Sequence, residues 1–238
     1  MKRRSSPWNK GKTKETNTSV KKISETFKNK KIDNFKNWRQ EMIKAGVIKN
    51  SYSPFKKTKE LAFLIGMTLG DGHIQKFPRT ERLLISLNTK YPGLIEYVNN
   101  LMTKIFEKQA TLSKVRNSNC MRVWVYQKMI SSRLEIPTGN RGMSTLGIPG
   151  WIWKSKTYII FCLKGLFEAE GSLSIHLPTY TYNFGFSNKN QKLLDDVEMA
   201  LRILGFNPEV RSDKIRLRKK EEVFLFKKLI NFRKYNAG

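Results

Sequence analysis

The chain has 238 residues, of which 39% are hydrophobic, so it is long and apolar enough for one large or two small packed domains. Its formal net charge of +27 comes from 46 Lys and Arg against 19 Asp and Glu, and such an excess predicts a polyanionic partner, with nucleic acid as the first candidate. The two cysteines have no metal-ligand spacing, so the sequence signals neither a disulfide framework nor a zinc site. No apolar run is long enough for a membrane span or a signal peptide, so we expect an intracellular protein that is not secreted. A basic protein of the membrane surface is the competing class. Such a protein is expected to have a cationic amphipathic helix and no large β-rich core.

Residues 1–57 are richer in positive charge than the rest, with 17 Lys and Arg against four Asp and Glu. We predict a basic extended segment at the start, short helices within residues 15–29 and 33–45, and a linker over residues 51–57. This extension is predicted to bind DNA through Trp8, Lys10, Lys12, Lys14, Lys21 and Lys22. The alternative is a disordered basic tail.

Residues 58–72 are predicted to form a buried helix that ends at an unusually placed acid. Thr58 is a typical N-cap, and the apolar residues run nearly all round the helix. Gly66 and Gly70 lie on one face at a cost of about 1 kcal/mol each, which predicts close approach of another backbone. Asp71 lies at the C-terminal end, where a carboxylate beside unpaired carbonyls suits a hard divalent cation. When this segment is considered without the rest of the chain, a hairpin turn at Asp71 and Gly72 is an equally good interpretation.

The pattern of apolar residues after this helix predicts a sheet with helices on one side. Strands are predicted over residues 73–77, 82–88, 108–116 and 121–127, and helices over residues 89–106 and 128–135. A loop follows over residues 137–150.

Residues 163–171 repeat the layout of the first helix 99 residues later, which indicates a duplicated domain. The recurring pairs are Leu64 and Leu163, Gly66 and Gly165, Gly70 and the small Ala169, Asp71 and Glu170, and Gly72 and Gly171. Two such helices can pack through their small faces and bring Asp71 and Glu170 together at one end. This second copy disfavours the hairpin-turn interpretation.

The second half is predicted to keep the order of the first. Strands are expected at residues 172–177, around Tyr182 to Phe186, and over residues 209–213 and 214–219, with helices over residues 190–204 and 221–232. The constant offset of 99 makes Tyr182, Phe184 and Phe186 the equivalents of Leu83, Ile85 and Leu87. Each half is therefore predicted as αββαββα with a four-stranded antiparallel sheet, an α+β fold of two repeats over residues 58–153 and 154–238.

The outward strand faces carry residue types that hydrogen-bond the edges of bases. In half one they are Gln75, Arg82, Ser86, Asn88, Arg122, Trp124 and Tyr126. In half two they are Ser174, His176, Thr181, Asn183, Ser187, Lys214, Arg216 and Arg218. Side by side, the two faces predict a long basic saddle for duplex DNA. An ordinary solvated sheet face is the alternative for any single residue.

Both helix segments resemble the LAGLIDADG motif of homing endonucleases, in the two-copy arrangement of the single-chain members. The match keeps the leucine, the central glycine, the last acid and the final glycine in each copy. It departs at Leu69, where the consensus has its first Asp, and at Lys164, which we expect on the outer face of its helix. Residues 8–28 resemble the small NUMOD DNA-binding motifs attached to homing nucleases.

The resemblance implies a site-specific endonuclease for double-stranded DNA that acts as a monomeric pseudo-dimer and leaves short 3′ overhangs across a long asymmetric site. Mg²⁺ is the expected cofactor, with Mn²⁺ able to substitute and Ca²⁺ binding without supporting cleavage. The implied metal ligands are Asp71, Glu170 and the backbone carbonyls of Gly70 and Ala169. The implied pocket residues around the scissile phosphates are Lys90, Lys189, a polar residue at Thr89 or Asn188, and a basic residue after the last helix of each half, Arg141 or Lys234.

Two other functions remain open on the same fold. One is an RNA maturase with intron RNA as its partner, and the other is a non-catalytic DNA-binding regulator. The presence of both Asp71 and Glu170 favours cleavage over the regulator.

Overall fold

A computed structural model of the chain describes residues 6–47, 49, 51–139 and 146–235. Contacts between residues divide it into two units, residues 1–52 and 53–238. This division falls close to the predicted linker, while the predicted domain boundaries themselves stay predictions.

The N-terminal unit contains two short helices, α1 (Thr18–Asn29) and α2 (Lys36–Lys44). Asn17 caps α1 by accepting hydrogen bonds from the next two backbone amides in reach, those of Ser19 and Val20. None of the described residues of this unit is buried, so the apolar positions of both helices lack a core of their own. All six residues predicted to bind DNA here are exposed.

The predicted extended segment at residues 6–14 folds into turns instead. The Lys10 amide donates to the Pro7 carbonyl, and the Lys12 amide donates to the Asn9 carbonyl. Gly11 has a φ of +75°, which glycine adopts at no steric cost, so it permits the chain to turn back here.

The second unit contains two copies of the order αββαββα, and the predicted fold class is confirmed. Half one consists of α3 (Lys59–Asp71), β1 (Gly72–Lys76), β2 (Glu81–Asn88), α4 (Pro92–Phe106), β3 (Thr111–Lys114), β4 (Cys120–Gln127) and α5 (Ile130–Leu134). Half two consists of α6 (Lys156–Glu170), β5 (Gly171–His176), β6 (Thr181–Ser187), α7 (Gln191–Ile203), β7 (Glu209–Arg211), β8 (Lys214–Leu217) and α8 (Lys220–Leu229). Two short 3₁₀ helices lie at Gly150–Lys154 and Leu177–Thr179.

Each half has one antiparallel four-stranded sheet, with the orders β1-β2-β4-β3 and β5-β6-β8-β7. Alternate strand residues point into the core, as the period of two requires. Ile85 of β2 pairs with Val123 of β4, and Phe186 of β6 pairs with Ile215 of β8, and all four are fully buried. The helices therefore cover one face of each sheet, and the other face carries mostly polar and aromatic side chains.

The offset between the halves changes along the chain. Gly72 pairs with Ile85, and Gly171 pairs with Phe186, so Phe186 is the counterpart of Ile85 and lies 101 residues after it. The prediction that Phe184 matches Ile85 is therefore wrong: the second hairpin is two residues longer, and the turn before α7 is two residues shorter. A shift of two keeps every side chain on its own face of the sheet, which is why the predicted faces survive the error.

Helices α3 and α6 pack backbone to backbone at the centre of the unit. A Cβ on Gly66 would overlap the Cys162 carbonyl and lie 2.9 Å from the Leu166 nitrogen. A Cβ on Gly165 would lie 2.7 Å from the Met67 nitrogen. The predicted role of these glycines is therefore confirmed, because a methyl group would force the helices apart.

Within the described residues, no helix combines the length and the apolar character needed to cross a lipid bilayer.

Candidate metal centre and nucleic-acid interface

The two predicted metal-binding acids are the last residues of the two central helices. Asp71 ends α3 and Glu170 ends α6, and in each half a glycine starts the first strand directly afterwards. Gly72 has a φ of −88°, so its conformation does not require glycine, but a Cβ there would lie 2.5 Å from the Thr68 Cα. The glycine thus lets the chain leave the helix sharply, and the acid is held at the junction of helix and strand.

The Asp71 and Glu170 carboxylates are close enough to influence each other. Partial burial raises the pKa of Asp71 to about 6, and the negative charge of Glu170 adds to this effect. A Cβ on Gly70 would lie 2.5 Å from the Cβ of Ala169 and 3.5 Å from the Cγ of Glu170, which shows how near the two helix ends come. Two acids held against their mutual repulsion at two helix C-termini fit a hard divalent cation that prefers oxygen ligands.

The donor set is small. Among the described residues, no three His, Cys, Asp or Glu side chains gather at one possible metal site. A cation here would therefore take its further ligands from the carbonyls of Gly70 and Ala169, from water or from a bound substrate, as Mg²⁺ usually does.

Half two surrounds its acid with a polar cleft. Asn188 donates a hydrogen bond of 3.1 Å from its Nδ2 to the Glu170 Oε1. A cleft of about 410 Å³ is lined by Glu170, Ser187, Asn188, Lys189 and Asp213. The structure thus brings four of the predicted residues into one cleft, namely Glu170, Ser187, Asn188 and Lys189. It adds Asp213, which follows the end of β7 and carried no signal in the sequence.

The turn after the second strand of half one is built like its counterpart. The Thr89 amide donates to the Asn119 carbonyl, as the Asn188 amide donates to the Asp213 carbonyl in half two. The Asn88 side chain accepts from the Lys90 amide, as the Asn188 side chain accepts from the Asn190 amide. The difference lies in the bond to the acid. Within the described part of the chain, the Thr89 side chain makes no hydrogen bond to Asp71. Lys90 is exposed one residue before the N-cap of α4, the place that Lys189 occupies before α7. The catalytic roles of Lys90, Lys189 and Asn188 stay predictions.

Arg233 is a basic residue near the site that the sequence prediction missed. Its guanidinium donates to the Tyr91 hydroxyl at 2.6 Å and to the Gly171 carbonyl at 3.4 Å. Its backbone amide donates at 2.7 Å to the buried Glu168 carboxylate, which occupies the position of Leu69 in half one. A basic residue after the last helix was predicted at Lys234, the next residue along the chain. Arg141, the candidate in half one, lies outside the described residues.

Lys164 contradicts its predicted place on the outer face of the helix. Its ammonium group lies 4.9 Å from the ring centroid of Tyr235 and 6.0 Å from that of Tyr97. The side chain is half-buried, and burial lowers the pKa of Lys164, although Glu168 acts in the opposite direction. The prediction failed because the chain beyond α8 returns to cover this face of α6.

The predicted DNA-facing residues of half one share the face opposite the helices. They are Gln75, Arg82, Ser86, Asn88, Arg122, Trp124 and Tyr126, and cross-strand pairs join Gln75 with Arg82, Arg82 with Tyr126, and Ser86 with Arg122. The same face includes His73, Leu84, Thr111 and Ser113, which were not predicted. Its centre is aromatic: the Arg82 guanidinium lies over the rings of Phe77 and Tyr126 and donates to Gln75 at 2.6 Å.

The predicted residues of half two also share one outward face. They are Ser174, His176, Thr181, Asn183, Ser187, Lys214, Arg216 and Arg218; cross-strand pairs join Ser174 with Asn183, His176 with Thr181, and Ser187 with Lys214. The unpredicted members are Ser172, Gly185, Glu209 and Arg211. Alternation in the short β7 strand was the signal that could have found Glu209 and Arg211.

Comparison with known proteins agrees with this geometry. The model of the LAGLIDADG-like domain matches residues 58–136 and again residues 157–236. These matches span well over half of the chain, and the protein belongs to this family. No curated protein sequence matches the chain significantly.

Solved structures with a similar fold include the following three. Mesophilic variants of the homing endonuclease I-DmoI align with a TM-score of 0.52 at 17% identity, covering 72% of this chain and 94% of that chain. I-DmoI in complex with DNA and Mn aligns with a TM-score of 0.50 at 17% identity, covering 72% and 96%. The N-terminal LAGLIDADG domain of DUF199/WhiA aligns with a TM-score of 0.51 at 18% identity, covering 76% and 85%. At these identities the likeness shows the fold alone.

Proposed function

We propose that this protein is a site-specific endonuclease for double-stranded DNA, of the homing endonuclease kind, that uses a divalent metal ion. The observation that carries the proposal is the meeting of Asp71 and Glu170 at the ends of two helices packed through glycines. Membership of the LAGLIDADG-like family supports it. So do the structures of I-DmoI with DNA and Mn, and of an I-DmoI variant with its target DNA in the presence of Mg.

Asp71 and Glu170, with the carbonyls of Gly70 and Ala169, are the residues that would hold Mg²⁺ or Mn²⁺. When bound, the ions would supply an activated water and would neutralise charge on the scissile phosphate and the leaving oxygen. Ca²⁺ fits the same oxygen ligands and is proposed to bind without supporting cleavage.

The surrounding side chains have separate tasks in this proposal. Asn188 fixes the orientation of the Glu170 carboxylate through its hydrogen bond. Lys189 brings positive charge to the cleft beside Glu170, where the backbone of DNA would approach. Arg233 is held by Tyr91 and Gly171 and adds a second cation near the junction of the halves.

One chain would cut both strands, because it contains one acid in each half. The two outward faces differ in composition, so each would contact a different half-site and the whole target would be long and asymmetric. We propose staggered cuts that leave short 3′ overhangs, as the family resemblance implies. The basic N-terminal unit would add contacts to phosphates, and the protein would act in a cell compartment that contains DNA.

The test is cleavage of a randomised duplex library by the full-length protein in Mg²⁺, with sequencing of the cut ends. The double variant Asp71→Asn/Glu170→Gln, purified in the same way, controls for a contaminating nuclease. Short 3′ overhangs within one long asymmetric consensus, absent with the variant, are expected.

The two other functions on this fold predict different outcomes. DNA binding without cleavage in Mg²⁺ or Mn²⁺ would point to a regulator. Filter binding that prefers a self-splicing intron RNA to duplex DNA would point to a maturase.

A further inference from the structure

A carboxylate surrounded by three arginines lies on the outward face of the second sheet. Glu209 of β7 pairs across the strands with Arg216 of β8. Arg216 donates to both carboxylate oxygens of Glu209, from Nε to Oε2 at 3.2 Å and from Nη2 to Oε1 at 3.0 Å. Arg211 donates from Nε to Oε1 at 2.8 Å, and the Arg218 Nη1 lies 3.6 Å from Oε2.

This cluster is ionised and faces outward. Hydrogen bonds from Arg216 and then Arg211 lower the pKa of Glu209 to about 2, so the carboxylate is charged at neutral pH. Ile215 and Leu217, the neighbours of Arg216 along β8, are fully buried, which places Arg216 on the opposite side from the core. Beside it, Gly185 of β6 has no side chain, and a Cβ there would lie 3.6 Å from the Cβ of Arg216 and 3.7 Å from the Cδ of Lys214.

An acid at this place needs a reason. The protein has few acids for its charge, and a carboxylate on a surface that attracts phosphates weakens that attraction. The benefit is the orientation of an arginine. A guanidinium has five N–H donors, and Glu209 occupies only the edge formed by Nε and Nη2 of Arg216. The edge formed by Nη1 and Nη2 still has donors that point away from the carboxylate.

That second edge matches a particular base. Guanine presents O6 and N7 as two acceptors in the major groove, and a bidentate arginine is the commonest specific contact to them. The Arg216 side chain is 24% exposed, against 62% for Arg211 and 54% for Arg218, so it is the most confined of the three. A confined side chain loses less entropy when it binds, which favours a base contact over a loose contact to a phosphate.

The corresponding position in half one carries no such pair. Trp124 pairs with Leu84 as Arg216 pairs with Gly185, and Thr111 stands where half two has Glu209. The Trp124 indole donates to Ser113 at 3.3 Å. The Glu209 and Arg216 arrangement is therefore specific to the second half.

We propose that Glu209 is a specificity-determining residue, which holds Arg216 in position to read one guanine in the major groove of the half-site that faces the second sheet. This inference rests on the proposed binding of duplex DNA. Glu209 acts through Arg216 and is a positioning residue, whereas Arg216 touches the base.

The test is selection of bound sequences from a randomised duplex library by the full-length protein in EDTA, which prevents cleavage. The variants are Glu209→Gln, which removes the negative charge, and Arg216→Lys. The lysine keeps a positive charge that can attract phosphates but lacks the two parallel N–H donors of the guanidinium. The matched control is Glu198→Gln, because Glu198 also accepts from an arginine, Arg202, but lies on helix α7.

We expect the wild-type protein to select guanine at one position. In both variants the preference for guanine at that position should fall about tenfold. Their affinity for the unselected library should change by less than about threefold, and Glu198→Gln should keep the wild-type consensus. Thermal melts of each variant show whether the fold is intact, and Glu209→Asp provides a second variant if Glu209→Gln unfolds.

The other outcomes separate the two proposals. An unchanged consensus in folded Glu209→Gln, whatever the result for Arg216→Lys and with or without uniformly weaker binding, would overturn the inference and assign Glu209 to strand pairing or to the setting of phosphate contacts. A change with Glu209→Gln alone would assign the contact to Glu209 itself and would also overturn it. Failure of the wild-type protein to bind any duplex would overturn the proposed function as well.

Discussion

The two halves of the second unit share one backbone design but present different outward faces. In half one, Trp124 and Tyr126 pack edge to face with ring centroids 5.4 Å apart. In half two, Glu209 is bonded to Arg216 and Arg211 instead. Inward positions are constrained by the same core, whereas outward positions do not affect folding in the same way and have diverged. The face of a duplicated sheet can therefore change its chemistry while the fold keeps its register.

The same contrast holds at the candidate metal centre. Each half contributes one acid, but Asn188 bonds to Glu170 while no side-chain bond from Thr89 to Asp71 exists among the described residues. The central helix of half two also contains the buried Glu168, where half one has Leu69. The two halves therefore match in contributing one acid each and differ in the residues around it.

The largest expected effect comes from removing either acid, which tests whether the halves are equal in the chemistry. Asp71→Asn and Glu170→Gln should each lower the rate of double-strand cleavage in Mg²⁺ by at least about 100-fold, because a lost carboxylate ligand removes several kcal/mol of transition-state stabilisation. Filter binding to the target duplex should remain within a few-fold of wild type. The rate is measured by cleavage of a plasmid that contains the target site. A fully active Asp71→Asn protein would contradict the two-acid mechanism.

The next effect concerns the helix contact that both halves share. Gly66→Ala and Gly165→Ala should each lower the free energy of unfolding by about 1–3 kcal/mol, because the added methyl group meets backbone atoms of the partner helix. Urea denaturation followed by circular dichroism measures this. Gly150→Ala is the control, since a Cβ there has no atom within 4 Å. Equal stability of the two central variants and the control would contradict the close packing.

A smaller effect should separate the surroundings of the two acids. Asn188→Ala should lower metal affinity or cleavage about tenfold, as is typical when a group that orients a ligand is lost, whereas Thr89→Ala should change it by less than about twofold. The measurement is the Mg²⁺ concentration at half-maximal cleavage. Equal effects of both substitutions would show that the halves orient their acids alike.

The smallest effect concerns Lys164, whose counterpart in half one is Ile65. Lys164→Ile should change the free energy of unfolding at pH 7 by less than about 1 kcal/mol, because the lost cation–π contacts are offset by the removal of a half-buried charge. Burial lowers the pKa of Lys164 below its ordinary value, so the folded state favours the neutral amine. The wild type should therefore gain stability relative to Lys164→Ile as the pH rises through the lowered pKa towards 10.5, and lose that gain as the pH falls. Parallel stability curves of the two proteins against pH would contradict the burial of this lysine.

Local patterns in the sequence were sufficient for the helices, the strand faces and the two acids. The N-cap at Thr58, the glycines of the central helices and the alternation of Leu83 with Ile85 are read within a few residues of each other, because the periods of helices and strands are local properties. The second copy of the motif then indicated a partner for the first helix. The roles of Asp71 and Glu170 stay predictions, but their meeting in space followed from the repeat.

Contacts between distant segments were decided only by the tertiary structure. Arg233 reaches Tyr91 across 142 residues, Lys164 is covered by Tyr235, and Glu209 meets Arg216 because of the register of one hairpin. The changing offset between the halves is of the same kind, since an insertion of two residues leaves the pattern of faces unaltered. The amino-acid sequence by itself determined which face of each sheet is buried and that two acids end two matching helices. Which neighbour covers each face depends on pairing over long distances, and a local period contains no information about it.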